Sequence, residues 1–241
     1  MNFLKLILAI LALFSLTANS IVMRHDRSPD LYQVKQSDYP SVVNLKYMTG
    51  TLISPQWIVT AGHGTHVLPA NYKVEINAKD YYVKSIVPHP SYNQSNQKND
   101  IALLKLNEPV IGIEPTTIYT LRDEVSKHVW FVGSGYVGTG EKGITGPSTS
   151  INHAENIIDS VDNLWINFDF DSPLNNALEI EGISGPGDSG GPAFIETSQG
   201  LKVAGVSSHQ MNHDDTPEGL YGAGEQYTRV SQYVDWINSV L

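Results

Sequence analysis

Three residues, far apart in the chain, have the types that acyl transfer needs: Ser189 in Gly185-Pro186-Gly187-Asp188-Ser189-Gly190-Gly191-Pro192, His63 in Thr60-Ala61-Gly62-His63, and Asp100 in Asn99-Asp100-Ile101-Ala102-Leu103-Leu104. A serine set among glycine turns has an exposed hydroxyl and backbone N–H groups free to face an oxyanion. That hydroxyl is a poor nucleophile near neutral pH. It needs a base that takes its proton and later gives it to the leaving group, and histidine titrates in that range, which fits His63. A buried carboxylate on the other ring nitrogen fixes the tautomer and stabilises the imidazolium, which fits Asp100. Singly, each has a bland reading, as a loop serine, a turn histidine and a strand-start cap. Together they fill three ordered roles, and chance agreement of all three is improbable.

Bringing such residues together takes a rigid scaffold. The chain has 241 residues, 41% of them hydrophobic, enough for one large core or two smaller ones, and its twenty glycines and thirteen prolines signal many turns. Short β-rich runs are expected at Ser41 to Lys46, Thr51 to Leu52, Trp57 to Thr60, Lys73 to Ile76, Tyr81 to Val87 and Ile101 to Leu106. A second set is expected at His128 to Val132, Asn156 to Val161, Leu164 to Phe170, Pro192 to Glu196, Leu201 to Ser207 and Glu225 to Val230. Between the sets, Glu108 to Asp123 reads as a crossover. The pattern is all-β, a barrel or a sandwich. Val230, Tyr233, Val234, Ile237, Val240 and Leu241 fall at helical spacing and predict a short C-terminal helix.

Residues 1–20 read as a secretory signal: Lys5, an apolar run from Leu6 to Phe14, and small residues at Ala18-Asn19-Ser20. Residues 21–38 read as a solvated N-terminal arm or activation segment, with His25, Asp26 and Arg27 carrying no chemistry. Residues 39–118, 119–230 and 231–241 then hold the first barrel, the crossover with the second barrel, and the helix. No cysteine is present, which excludes a thiol nucleophile and thiolate metal sites and leaves stability to packing alone. The net charge of −10 without a basic cluster argues against nucleic acid or an anionic membrane as partner.

Five segments in order, Trp57 to His63, Ile86 to Asn93, Asn99 to Leu106, Gly187 to Pro192, and Tyr227 to Val230 with Trp236-Ile237, resemble the chymotrypsin/trypsin-like serine proteases across nearly the whole chain beyond the signal. The resemblance implies two six-stranded antiparallel β-barrels with the site in the cleft between them. It implies a secreted serine endopeptidase, with polypeptide substrates and protein protease inhibitors as partners and no cofactor. It further implies that the N–H groups of Gly187 and Ser189 form the oxyanion hole, and that Ser208 holds the catalytic aspartate and lies along the substrate strand. A protease-like module that binds without catalysis, or an esterase of small substrates, would share the scaffold.

The departures from that family carry information. Met48 and Gly64 stand where a cysteine pair would flank the catalytic histidine, so both partners are missing together; a cysteine-free bacterial branch is expected. Tyr72 to Lys84 lacks the acids of a calcium loop, and no metal is expected. The resemblance pairs a freed Ile21 ammonium with Asp188, and Ile21-Val22 follows the expected signal cut directly; the alternative is a pro-segment removed after Arg24 or Arg27. Ile183 stands where a basic-specific aspartate is usual, and His209 and Gln210 replace a Trp-Gly pair at the pocket entrance. Glu225 either projects into that pocket, attracting Lys or Arg, or sits in solvent, the reading the sequence alone favours. His209, His213, Asp214 and Asp215 have a spacing that could bind zinc, but Pro217 and Gly219 mark a loop and argue against it. Asp169 and Asp171, alternating with Phe168 and Phe170, read as the exposed face of a strand.

Overall fold

The computed structural model describes residues 20–148, 150–211 and 216–241. After a first short strand, β1 (Ile21–Met23), six strands build the first half: β2 (Val42–Asn44), β3 (Thr49–Ser54), β4 (Trp57–Thr60), β5 (Lys73–Ile76), β6 (Lys79–Pro88) and β7 (Ala102–Leu106). They pair antiparallel in the order β2-β3-β4-β7-β6-β5. In β5 the alternation of Lys73 and Glu75 with Val74 and Ile76 puts two apolar side chains inside and two charges outside. In β4, flanked by strands on both sides, every residue is buried and the run is apolar except Thr60.

The second half comprises β8 (His128–Gly133), β9 (Tyr136–Thr139), β10 (Gly143–Pro147), β11 (Asn152–Ile157), β12 (Ser160–Val161), β13 (Trp165–Asp169), β14 (Gly182–Ile183), β15 (Pro192–Thr197), β16 (Gly200–Met211) and β17 (Gly224–Arg229). Seven of these form an antiparallel sheet in the order β11-β8-β15-β16-β17-β13-β12. Its interior is keyed by Phe131, Phe168 and Tyr227, whose ring centroids lie 4.8–5.3 Å apart. Phe168 and Phe170 are fully buried and Asp169 is exposed, as the alternation implied, but Asp171 lies past the end of β13 and is half-buried, which corrects that part of the reading. The architecture is all-β, two barrel-like sheets closed by one short helix, as expected.

A third sheet, β10-β9-β1-β14, was not legible beforehand. Through it the N-terminal segment is built into the molecule: β1 runs parallel to β9 and antiparallel to β14, and all three of its residues are buried. The expectation of a solvated arm is therefore corrected for Ile21 to Arg24 and for Tyr32, while His25 and Asp26 stay exposed. Arg24 is buried, gripping Asp26 at 2.8 and 2.9 Å and donating to the carbonyls of Ala177 and Leu178. Tyr32 is fully buried and donates to the Glu181 carbonyl at 3.0 Å. Ala177, Leu178 and Glu181 lie more than a hundred residues downstream, beyond the reach of a local pattern.

At the other end, a 3-10 turn, Val230–Gln232, leads into α1 (Val234–Val240). His89 of the first half sits between Tyr233 and Trp236 at 5.2 and 4.9 Å, so the C-terminal segment docks on the first barrel. The largest apolar core is shared, joining Leu52, Ile58 and Leu104 to Phe194, Val206 and Ile237.

Candidate active site

The register of the first sheet explains why His63 and Asp100 meet. Thr60, the last residue of β4, pairs with Ala102, the first of β7, so residues just beyond those strand ends are neighbours. Asp100 is fully buried. Its Oδ1 accepts the backbone N–H of His63 at 2.7 Å, and its Oδ2 lies 2.7 Å from His63 Nδ1 and accepts the Ser208 hydroxyl at 2.6 Å. Thr228 Oγ1 donates to the Asp100 carbonyl at 2.7 Å. An ionised carboxylate only accepts, so Nδ1 carries the imidazole proton and Nε2 is left with a lone pair.

Ser189 lies on a loop whose backbone leaves little freedom, beside Ser208, and among the described residues its hydroxyl makes no hydrogen bond to His63. Asp188 donates its N–H to Gly185, Gly190 to Ser207 and Gly191 to Asp188, while the Ser189 carbonyl accepts Thr49 N–H at 2.8 Å. Gly190 has φ +81°, and a Cβ there would lie 2.2 Å from Thr60 Oγ1 and 2.8 Å from the Ala61 amide. Only glycine fits. The loop is thus pressed onto the stretch that leads from β4 to His63, and Ser189 stays half-exposed at the surface of the cleft. Among the described residues, no carbonyl takes the N–H of Gly187 or Ser189.

Asp188 points the other way, into the interior. Burial pushes its carboxyl up to about 6, against hydrogen bonds from the backbone N–H groups of Gly185 at 3.0 Å and Gly135 at 2.7 Å, with the Ile21 and Ser134 amides also lowering it. The Ile21 amide faces Asp188 closely enough to favour its ionised form. Ser20, the residue before Ile21, is buried as well: its hydroxyl donates to the Gly133 carbonyl and its own carbonyl accepts Asn152 Nδ2 at 2.7 Å.

Beside Ser189 opens a cavity of about 350 Å³, walled by Ser184, Gly185 and Pro186 on one side and Ser207, Ser208, His209 and Gln210 on the other. Glu225 lines it and is 1% exposed, which overturns the solvent reading. Burial raises its carboxyl to about 8. Ile183 is not part of the lining; it packs with Val22, Phe170 and Ala223 in a small apolar cluster, the physical reason being the β1 strand laid against it. His213, Asp214 and Asp215 lie outside the described residues, and His209 stacks edge-on to Trp165 at 5.1 Å. Sequence reasoning assigned no role to Ser184, Ser207, Thr228 or the Thr49 and Thr60 braces. The Ser207-Ser208 doublet was the one local signal, with alternate residues of a strand facing opposite ways.

Residues 31–237 match the family model described as Trypsin. The chain belongs to the trypsin family. It is a serine-type endopeptidase, a hydrolase of polypeptides. It is similar to a trypsin of Phaedon cochleariae, 28% identical over 233 residues covering 83% of each chain, and to a trypsin of Simulium vittatum, 28% identical over 209 residues covering 79% of this chain and 82% of the other. It is also similar to melanization protease 1 of Drosophila melanogaster, 28% identical over 248 residues covering 83% of this chain and 59% of the other. This chain thus spans about three fifths of the length of that longer relative. All three relatives are insect proteins, so the expected bacterial branch finds no support, although the absence of cysteine stands. Among the described residues, no helix is long and apolar enough to cross a membrane.

Proposed function

We propose that this trypsin-family endopeptidase is exported and cleaves peptide bonds through an acyl-enzyme on Ser189. Ser189 Oγ attacks the substrate carbonyl carbon while His63 Nε2 takes the hydroxyl proton, and Asp100 remains ionised against the imidazolium. The oxyanion is met by the N–H groups of Gly187 and Ser189. The C–N bond then breaks, Nε2 delivers its proton to the leaving amine, and water repeats the sequence to free the acid and regenerate Ser189. The observation that carries this reading is the Asp100 carboxylate, buried and held by His63 twice and by Ser208 once.

Activation follows from the Ile21–Asp188 contact. Ile21 has φ +73°, a strained setting for a β-branched residue. Cutting the Ser20–Ile21 bond releases that constraint and turns the N–H facing Asp188 into an ammonium, which favours the ionised carboxylate and fixes the loop bearing Gly187 and Ser189. Removal of the signal at this bond supplies the activating amine without a propeptide.

A fluorophosphonate probe tests the chemistry. The expected result is stoichiometric labelling of the secreted protein that is lost in Ser189→Ala and His63→Ala; no labelling of the folded protein would overturn the reading. N-terminal sequencing of the labelled protein tests the activation step, and any start other than Ile21 removes it.

A further inference from the structure

Asn93-Gln94-Ser95 is the one Asn-x-Ser/Thr triplet in the chain. In a chain that passes through a secretory pathway such a triplet is the acceptor of an N-linked oligosaccharide, the asparagine being read together with the hydroxyl two residues on. Its place in the fold suits that role. The triplet lies on the connection between β6 and β7, where Ser91 to Asn99 carry no aliphatic side chain and the tip has nothing to bury. Asn93, Gln94, Ser95, Asn96 and Lys98 are all exposed. Asn93 Oδ1 accepts the Ser95 N–H at 2.9 Å and the Ser95 hydroxyl at 2.7 Å, so amide and hydroxyl stand side by side. Among the described residues, Asn93 Nδ2 donates to no other group.

The same connection is anchored beside the catalytic residues. The Asn93 N–H donates to the Lys98 carbonyl at 3.0 Å, which closes a small hairpin, and Asn99 Nδ2 donates to the Ser91 carbonyl at 2.9 Å. Tyr92 packs on the turn that bears the base: a Cβ built on Gly62 would lie 3.3 Å from Tyr92 Cγ. Asp100 follows Asn99 directly. Asn93 is thus one residue from a side chain that touches the residue before His63. With consecutive Cα atoms about 3.8 Å apart, its attachment point lies beside that turn and not on a remote face.

We propose that Asn93 carries an N-linked oligosaccharide that stands beside the His63 turn and screens the active site from large partners while leaving it open to small ones. The modification rests on the proposed export, and the screening also on the proposed chemistry at Ser189. The donor is an oligosaccharide joined through a diphosphate to a membrane lipid. Asn93 Nδ2 attacks the anomeric carbon, C1. The Nδ2–C1 bond forms, the bond from C1 to the diphosphate oxygen breaks, the lipid diphosphate leaves with that electron pair, and one Nδ2 proton passes to a base. Nothing is oxidised or reduced.

The test expresses the full chain, residues 1–20 included, in insect cells, since its relatives are insect proteins. The secreted protein is digested for mass spectrometry before and after peptide N-glycosidase treatment in heavy-oxygen water. The Asn93 peptide is expected to carry hexose and N-acetylhexosamine, and the glycosidase to leave a heavy-oxygen aspartate at that position. Asn93→Gln and Ser95→Ala lose the modification, and Ser95→Thr keeps it. Secreted protein with unmodified Asn93 overturns this inference alone; a chain that stays in the cytosol overturns the export and the modification with it. Screening is read from the rate at which Ser189 is labelled by a fluorophosphonate, free or coupled through a short linker to serum albumin. Removing the oligosaccharide is expected to leave the free probe's rate unchanged and to raise the coupled probe's rate about 3–10-fold. The two rates are compared on one preparation, so partial loss of folded protein in a variant does not move their ratio. An unchanged ratio overturns the screening, and no labelling by either probe overturns the chemistry at Ser189 and the screening together.

Discussion

Asp100 combines three contacts through its carboxylate with a fourth through its carbonyl, so its geometry is fixed from both barrels at once. Replacing it by asparagine keeps the volume but lets an NH₂ group face His63 Nδ1, which favours the tautomer with the proton on Nε2, where a base needs a lone pair. Asp100→Asn is expected to lower kcat by roughly 10⁴-fold with the fold retained, measured by steady-state kinetics beside circular dichroism. A loss below tenfold would mean that the carboxylate does not orient the base. Ser208→Ala removes one charge-assisted hydrogen bond of the same carboxylate, worth about 1.5–3 kcal/mol where the acceptor is buried. The expected outcome is a kcat loss of about 10–100-fold with KM for a small ester substrate changed little. An equal effect on KM alone would assign Ser208 to substrate contact instead.

At the scale of elements, the missing disulfide beside the histidine has been replaced by packing. Met48 is 2% exposed, and a Cβ built on Gly64 would lie 2.6 Å from both its Sδ and its Cε, so the thioether occupies the space beside the His63 turn. That same Cβ would lie 3.8 Å from Met48 Cβ, within the span of a disulfide. The double variant Met48→Cys, Gly64→Cys is therefore expected to oxidise spontaneously. Closing so short a loop is worth about 3 kcal/mol on chain-entropy grounds, or roughly 6–12 °C in Tm for a chain of this size. Calorimetry with and without dithiothreitol checks it, and two free thiols after air oxidation would refute it. Both substituted positions could be matched to the family from sequence, because the motif around His63 is contiguous. The strands of the two barrels were legible for a similar reason: β5 and β7 alternate or run apolar within a few residues. The β10-β9-β1-β14 sheet was not, since Tyr136–Thr139, Gly143–Pro147 and Gly182–Ile183 are short and glycine-bearing and gain their structure by pairing with β1 or with each other. Glu225 shows the same limit at a single residue: its burial depends on β16 and β13 lying on either side of β17, which no local pattern encodes.

For the whole molecule, the buried acids set opposing pH dependences, and their signs differ. Burial raises Glu225 to about 8 and Glu181 to about 7, so the native state holds protons that the unfolded chain releases above the ordinary carboxylate range. Their contribution is fully present below that range and is lost as pH rises through 7 to 8. Glu124 runs the other way. Burial alone would raise it, but the Arg229 guanidinium at 2.6 and 3.0 Å and the Ser231 hydroxyl hold its pKa below the ordinary value. Its contribution is present above the ordinary carboxylate range and is lost as pH falls through its native value. Stability is therefore expected to decline from the ordinary carboxylate range up to about pH 8 and to level off above it, by at least about 1 kcal/mol per group that ionises unpaired. Thermal melts of Ser189→Ala, which cannot digest itself under the proposed chemistry, measure this across pH 4–9. Glu225→Gln in that background is expected to flatten the alkaline limb while leaving the acid limb in place, since Glu124 and Arg229 are untouched. An alkaline limb of unchanged slope would mean that Glu225 is already ionised at pH 6.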